Sequence, residues 1–205
     1  MKLYDYPGSG NCHKVRMLLG FLGLPYTRVP VDVARGETGA PAFLAVNPRG
    51  QVPVLVEGDI TLWDSQAILV YLARTRDDGA WLPHAAVPMA EVMQWLALAG
   101  NEILYGLARA RQVLRMGRSW SLEECQAQGR EALVVLEQRL AGREWLVGGR
   151  PTLAEVACYP YVALAPEAGI DPAPYAAVCR WMDRVQAQPG YVGMPGMYAA
   201  PRPSR

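Results

Sequence analysis

The stretch YPGSGNCHK, residues 6–14, sets a hydroxyl and a thiol three positions apart, at Ser9 and Cys12, with Asn11 between them. It stands between a short apolar run and a longer amphipathic one, so Ser9 falls at or just before a helix start. A Pro-Gly turn ahead of it lets the backbone fold back tightly. Unpaired N–H groups and the positive end of a helix favour an anion at such a place. Read locally, Ser9 is also an ordinary N-cap and Asn11 an ordinary turn residue. Cys12 is either an inert packed thiol or a partly exposed thiolate. His13, one position on, faces elsewhere on a helix and is expected at the surface.

Short elements surround that turn. KLYDY (2–6) is a strand candidate, and Val15, Leu18, Leu19 and Leu22 recur at helical spacing before a stop at Gly23. YTRVPVDV (26–33) alternates as a second strand, with Pro30 suiting an edge. APAFLAV (40–46) is a short helix candidate. VPVLVEGDITLWD (52–64) reads as two strands around the tight EGD turn, and SQAILVYLARTR (65–76) returns to helical spacing. The order β-α-β-α-β-β-α describes a small sheet with helices packed on it.

The text changes at TRDDGAWLPHAAVP (75–88), where charges, glycine and prolines mark a linker. Beyond it strand signals disappear. Residues 89–116 read as one long helix, less uniform at Gly100 and Gly106. Ser121 with Glu124, and Thr152 with Glu155, have capping-box spacing ahead of apolar runs. The tail from Pro189 is too rich in Gly and Pro for regular structure.

The chain has 205 residues, of which 51% are hydrophobic, enough for one large domain or two small ones. A net charge of +1 with no basic run argues against an electrostatic nucleic-acid binder. No apolar stretch approaches about 18 residues, and the N-terminus lacks the apolar core of a signal peptide. A soluble, cytoplasmic protein is expected, with no membrane partner. Cys12, Cys125, Cys158 and Cys179 form no CxxC pair, and there are two histidines, so zinc-ligand spacing is absent and no metal is expected. Free thiols suit a reducing cytosol, with the last three cysteines as small core residues.

NPRGQVPVL (47–55) followed by DSQAILVYLA (64–73) closely resembles the glutathione-binding signature of the cytosolic glutathione S-transferase family. LEQRLAGREWLVGGRPTLAEVA (136–157) resembles that family's helical-domain motif, and YPGSGNCHKVRMLL resembles the first turn and helix of its serine-type, bacterial-like members. The resemblance implies a thioredoxin-like α/β domain followed by an all-α domain. The domains would be 1–76 for glutathione and 89–205 for the acceptor substrate, joined by a linker at 77–88 and ending in an irregular tail.

Thioredoxin-like proteins carry C-x-x-C where this chain has Ser9 and Cys12. By resemblance, Ser9 donates a hydrogen bond to the thiolate of glutathione, with Asn11 and Cys12 as the neighbouring catalytic candidates. A free thiol with a pKa near 8.5 is only about 3% thiolate at pH 7. Lowering that pKa by about two units takes roughly 2.7 kcal/mol, the order that one hydroxyl and a helix N-terminus supply.

The resemblance further implies a cis peptide before Pro53 and backbone pairing of Val52 with glutathione. Asp64 and Ser65 would hold the γ-glutamyl end, whereas their local reading is another N-cap. Gln51 and Arg49 would stand near the glycine end. Tyr105, Arg109 and Trp120 would wall an apolar, tolerant acceptor pocket on the first long helix of the second domain. Asn101 or Glu102 would reach a partner subunit's glutathione, since family members are usually homodimers. Tyr191 and its neighbours in the tail are expected either to cover the site or to be disordered.

The expected activity is glutathione conjugation to hydrophobic electrophiles, as in detoxification. The alternatives are glutathione-dependent disulfide or peroxide reduction on the same site, and a non-catalytic binding or regulatory module.

Overall fold

A computed structural model describes residues 1–199. Its first half runs β1 (Lys2–Asp5), α1 (Gly10–Phe21), β2 (Thr27–Pro30), α2 (Pro41–Leu44), β3 (Val54–Glu57), β4 (Ile60–Trp63) and α3 (Ser65–Arg76). The sheet order is β2-β1-β3-β4, with β1 parallel to β2 and antiparallel to β3. Pro30 ends the edge strand β2, where a missing N–H disturbs no inner ladder. β3 and β4 form a hairpin closed by Gly58 and Asp59, and Gly58 takes the φ of 57° that favours glycine.

Alternation along β3 sends its side chains to opposite faces. Leu55 joins Leu3, Val15, Leu18, Leu69 and Leu72 in the large core under α1 and α3. Val54 joins Val31 and Phe43 in a small core under α2. The buried Asp5 carboxylate pairs with Arg16 of α1 and, at 2.6 Å, with Arg28 of β2, fastening α1 to the strands.

The second half is helical: α4 (Ala86–Gly100), α5 (Arg109–Met116), α6 (Leu122–Leu140), α7 (Leu153–Ala163) and α8 (Ala176–Gln186). α4 begins inside the expected linker because Pro88 sits in its first turn, where a missing N–H breaks no bond. The long helix expected over 89–116 is interrupted after Gly100, and a π-helical turn, Leu104–Ala108, precedes α5. Gly106 is the reason: a Cβ there would lie 2.4 Å from the Gly129 nitrogen, so this turn and α6 meet backbone to backbone.

Ser121 caps α6 by accepting from Glu124 N at 3.2 Å. Every residue of α7 is buried. Its start is a complete capping box: Thr152 Oγ1 accepts from Ala154 N, and Glu155 Oε2 accepts from Thr152 N at 2.7 Å. Glu155 Oε1 also accepts from Leu146 N at 2.6 Å, so the carboxylate ties the preceding loop to the helix. Burial nevertheless pushes its pKa up to about 7.

The tail is irregular through residue 199, as its composition implies, and residues 200–205 lie outside the described residues. It is nonetheless held closely. Gly190 and Gly20 meet backbone to backbone, Tyr191 Oη lies 2.7 Å from Tyr159 Oη, and Tyr198 N donates to Ala163 O at 2.6 Å. This crossing corrects the expectation for His13. Its side chain is wholly buried, with Nε2 2.6 Å from Val192 O, because the tail covers the face of α1 that the local pattern leaves to solvent.

Candidate functional site

Ser9 stands in extended backbone (φ −86°, ψ 121°) at the head of α1, and its Oγ accepts from Cys12 N at 3.2 Å. Two features hold this turn. Ser9 N donates to Tyr6 O at 3.0 Å, and Arg111 Nη1 reaches from α5 to Gly8 O at 2.9 Å. Arg111 is nearly buried and pairs with Glu167 at 2.5 Å. Gly10 is needed where it stands, since a Cβ would fall 2.6 Å from the Tyr161 ring of α7.

Cys12 lies behind the turn with no exposed surface, and burial pushes its thiol up to about 12. Lys14, on the next turn of α1, is also buried. Its Nζ lies 5.5 Å from the Tyr161 ring centroid, and desolvation draws its pKa down to about 8.

The 47–53 loop forms the neighbouring wall. Asn47 is buried; its Nδ2 donates to Gln51 O at 2.6 Å and its Oδ1 accepts from Arg49 N at 3.0 Å. The Val52–Pro53 peptide is cis, as the resemblance implies. Asp64 then caps α3, its Oδ1 accepting from Gln66 N at 2.9 Å. Its φ of 77° is left-handed for a residue that is not glycine, a conformation that costs about 1–3 kcal/mol. Arg49 lies 3.4 Å from Asp64 Oδ2, and Ser65 is nearly buried beside it.

Gln51, Val52, Pro53, Asp64, Ser65 and Asn11 therefore line one small recess. The recess adjoins a groove of about 520 Å³ that Ser9, Asn11, Gln51 and Val52 share with Tyr105, Arg109 and Trp120 from the helical half. Asn101, Glu102, Tyr191 and Cys12 do not line it.

The groove departs from the apolar pocket expected. Arg49, Arg109, Arg111 and Arg118 line it, and no Asp or Glu does. The Arg109 guanidinium carbon lies 4.2 Å from the Tyr105 ring centroid and 4.9 Å from that of Trp120. Arg111, Asn47, Tyr161 and Lys14 are site neighbours that the sequence reading passed over. Asn47 lay inside a quoted motif, whereas Arg111 gave no local signal. Among the described residues no group of three or more His, Cys, Asp or Glu gathers as a metal site, and no helix is long and apolar enough to cross a membrane.

The chain is similar to known proteins along most of its length. The glutathione S-transferase N-terminal domain matches residues 1–74 and the C-terminal domain matches residues 112–189. A maleylacetoacetate isomerase of Pseudomonas aeruginosa is 33% identical over 93% of this chain and 93% of its own length. The disulfide-bond oxidoreductase YfcG of Escherichia coli is 29% identical over 91% of this chain and 90% of its own. A glutathione S-transferase structure from Pseudomonas fluorescens superposes with a TM-score of 0.88 at 36% identity, covering 95% of this chain and 98% of that one. With its thioredoxin-like first half and helical second half, the chain belongs to the glutathione S-transferase family, an enzyme family that uses glutathione as its substrate.

Proposed function

We propose that the chain activates the glutathione thiol at Ser9 and joins its sulfur to an electrophilic carbon in the groove. One observation carries this: a single groove is walled by Ser9 and Val52 on one side and by Tyr105, Arg109 and Trp120 on the other. Residues 1–76 then bind glutathione, 77–88 link, and 89–205 supply the acceptor wall. Gln51, Val52, Asp64 and Ser65 hold the peptide beside the buried Pro53. The Ser9 hydroxyl already accepts from Cys12 N, so its own proton is left to donate to the thiolate. The thiol proton passes to solvent, the S–C bond forms, and the leaving group departs with its electron pair. Cys12 takes no part, because its buried thiol is far from ionising at neutral pH. We place the enzyme in the cytoplasm as a homodimer that detoxifies electrophiles.

A second reading, glutathione-dependent disulfide reduction, is favoured by the likeness to the E. coli oxidoreductase. Two glutathiones would supply the electrons, with no protein thiol required.

The test is a paired assay on wild type and Ser9→Ala, following conjugation of chlorodinitrobenzene and reduction of a small disulfide across pH 6–9. Conjugation should fall about 25-fold at pH 7 in Ser9→Ala, with the alkaline rise of kcat/KM moved up by about two units. An unmoved pH profile would remove Ser9 as the activator. Disulfide reduction without conjugation would establish the second reading.

A further inference from the structure

We infer that the acceptor substrate is an unsaturated or aromatic electrophile that carries a carboxylate, and that Arg109 receives it. This rests on the glutathione-binding reading above and goes beyond it by naming the acceptor's charge. Charge in the groove does not balance. Of its four arginines, Arg111 pairs with Glu167, which Arg115 shares, and Arg49 lies beside Asp64. Arg109 and Arg118 have no acidic partner among the described residues, and no carboxylate lines the groove. A concave site of one sign, walled by protein, concentrates ligands of the opposite sign.

The shape of the Arg109 site narrows the class. Its guanidinium carbon lies over the rings of both Tyr105 and Trp120, at 4.2 and 4.9 Å from their centroids. A guanidinium held over ring faces keeps its N–H edge as the functional surface. Among the described residues that edge donates to no protein acceptor. A planar fork of unused donors matches a carboxylate, which accepts two parallel N–H bonds, better than it matches a neutral or tetrahedral group. The same rings, with Tyr6 and Tyr161 elsewhere in the groove, offer flat apolar surface to the remainder of the molecule. An apolar electrophile with no charge would leave the Arg109 donors without a partner in a groove it has partly dried, which costs affinity.

The test uses two stable thioethers, S-(4-carboxybenzyl)glutathione and S-(4-carbamoylbenzyl)glutathione, which differ in charge and hardly in size. Their dissociation constants are measured by calorimetry at low and at 0.5 M salt, on wild type and on Arg109→Gln and Arg109→Lys. Wild type should bind the carboxylate at least tenfold more tightly, about 1.4 kcal/mol. The ratio should shrink in high salt, because Tyr105 and Trp120 beside Arg109 are both exposed to solvent. In Arg109→Gln the ratio should fall to within about twofold, and in Arg109→Lys it should be only partly restored.

Equal affinities in wild type would overturn the proposal while leaving the glutathione site intact, and that result needs no variant to fold. An Arg109→Gln variant that weakens both probes alike would overturn it too, assigning Arg109 to the glutathione part common to both. Failure of wild type to bind either probe would instead bring down the glutathione reading, and this inference with it.

Discussion

At the scale of single residues, capping and chemistry need not compete. Ser9 and Asp64 both make the side-chain cap bonds that their local sequence implies, and both stand on the proposed glutathione wall. A cap fixes an oxygen at a helix start, and a hydroxyl that accepts there has its proton free. The thiol three residues on is the contrary case. Cys12 has the spacing of a redox partner, yet burial raises its pKa to about 12, and Cys158 is buried and raised as well. The thiolate is the reactive form, so these groups should be silent in the folded protein. Titration with an aromatic disulfide reagent at pH 8 should reach only the half-buried Cys179 within minutes, and all four of Cys12, Cys125, Cys158 and Cys179 once the chain is unfolded in guanidinium. Rapid labelling of Cys12 in the native state, located by peptide mass, would return it to the list of active groups.

At the scale of elements, the first half was legible because its signals are local. The alternation of β3 and β4, the turn at Gly58 and the helical spacing of Val15, Leu18 and Leu19 each act within a few residues. The start of α7 was legible for the same reason: Thr152 and Glu155 satisfy each other three positions apart. The break between α4 and α5 was not, since it depends on Gly106 meeting Gly129, residues adjacent only after α6 has packed. Arg111 was hidden likewise; its partners, Gly8 and Glu167, lie in the turn before α1 and in the segment after α7. A contact of this kind makes a sharp prediction. Gly106→Ala pushes a methyl into the Gly129 backbone, which cannot rotate away, so the variant should lose about 1–3 kcal/mol in urea unfolding. It should also disturb Tyr105, which lies in the turn, and Arg109, which follows it. Thr152→Ala should cost about 1–2 kcal/mol through the lost cap, while leaving the groove alone. A Gly106→Ala variant as stable as wild type would mean that the helices separate without penalty.

At the scale of the whole molecule, one core runs from Leu3 of the sheet through α7 to Trp181 of α8, and the tail closes over it. That closure buries a titratable group, His13, beneath the tail. His13 Nε2 faces Val192 O and so carries the hydrogen, which leaves Nδ1 bare, buried and without a partner among the described residues. Burial lowers its pKa from 6.5 to about 4, with the carbonyl of Val192 and the charge of Asp5 pulling upward and Arg16 pushing down. Between those two values the unfolded chain takes up a proton that the folded chain refuses. Stability therefore falls as pH drops from 6.5 toward 4, by up to about 3 kcal/mol. Glu155 opposes this. Its carboxyl is raised from 4.5 to about 7, so the folded state retains a proton that the unfolded state has lost, and its contribution falls as pH rises through that window. The two partly cancel in the wild-type curve, and their separation requires a variant. His13→Gln preserves an N–H donor toward Val192 and removes the titration. Urea unfolding at pH 7.5, 6.5, 5.5 and 4.5 should show the stability difference between His13→Gln and wild type moving in favour of the variant by about 3 kcal/mol on acidification. Limited proteolysis should release the tail from wild type at pH 4.5 sooner than from the variant. Parallel pH curves for the two proteins would mean that the tail leaves His13 before the proton arrives, and that the latch contributes nothing to acid sensitivity.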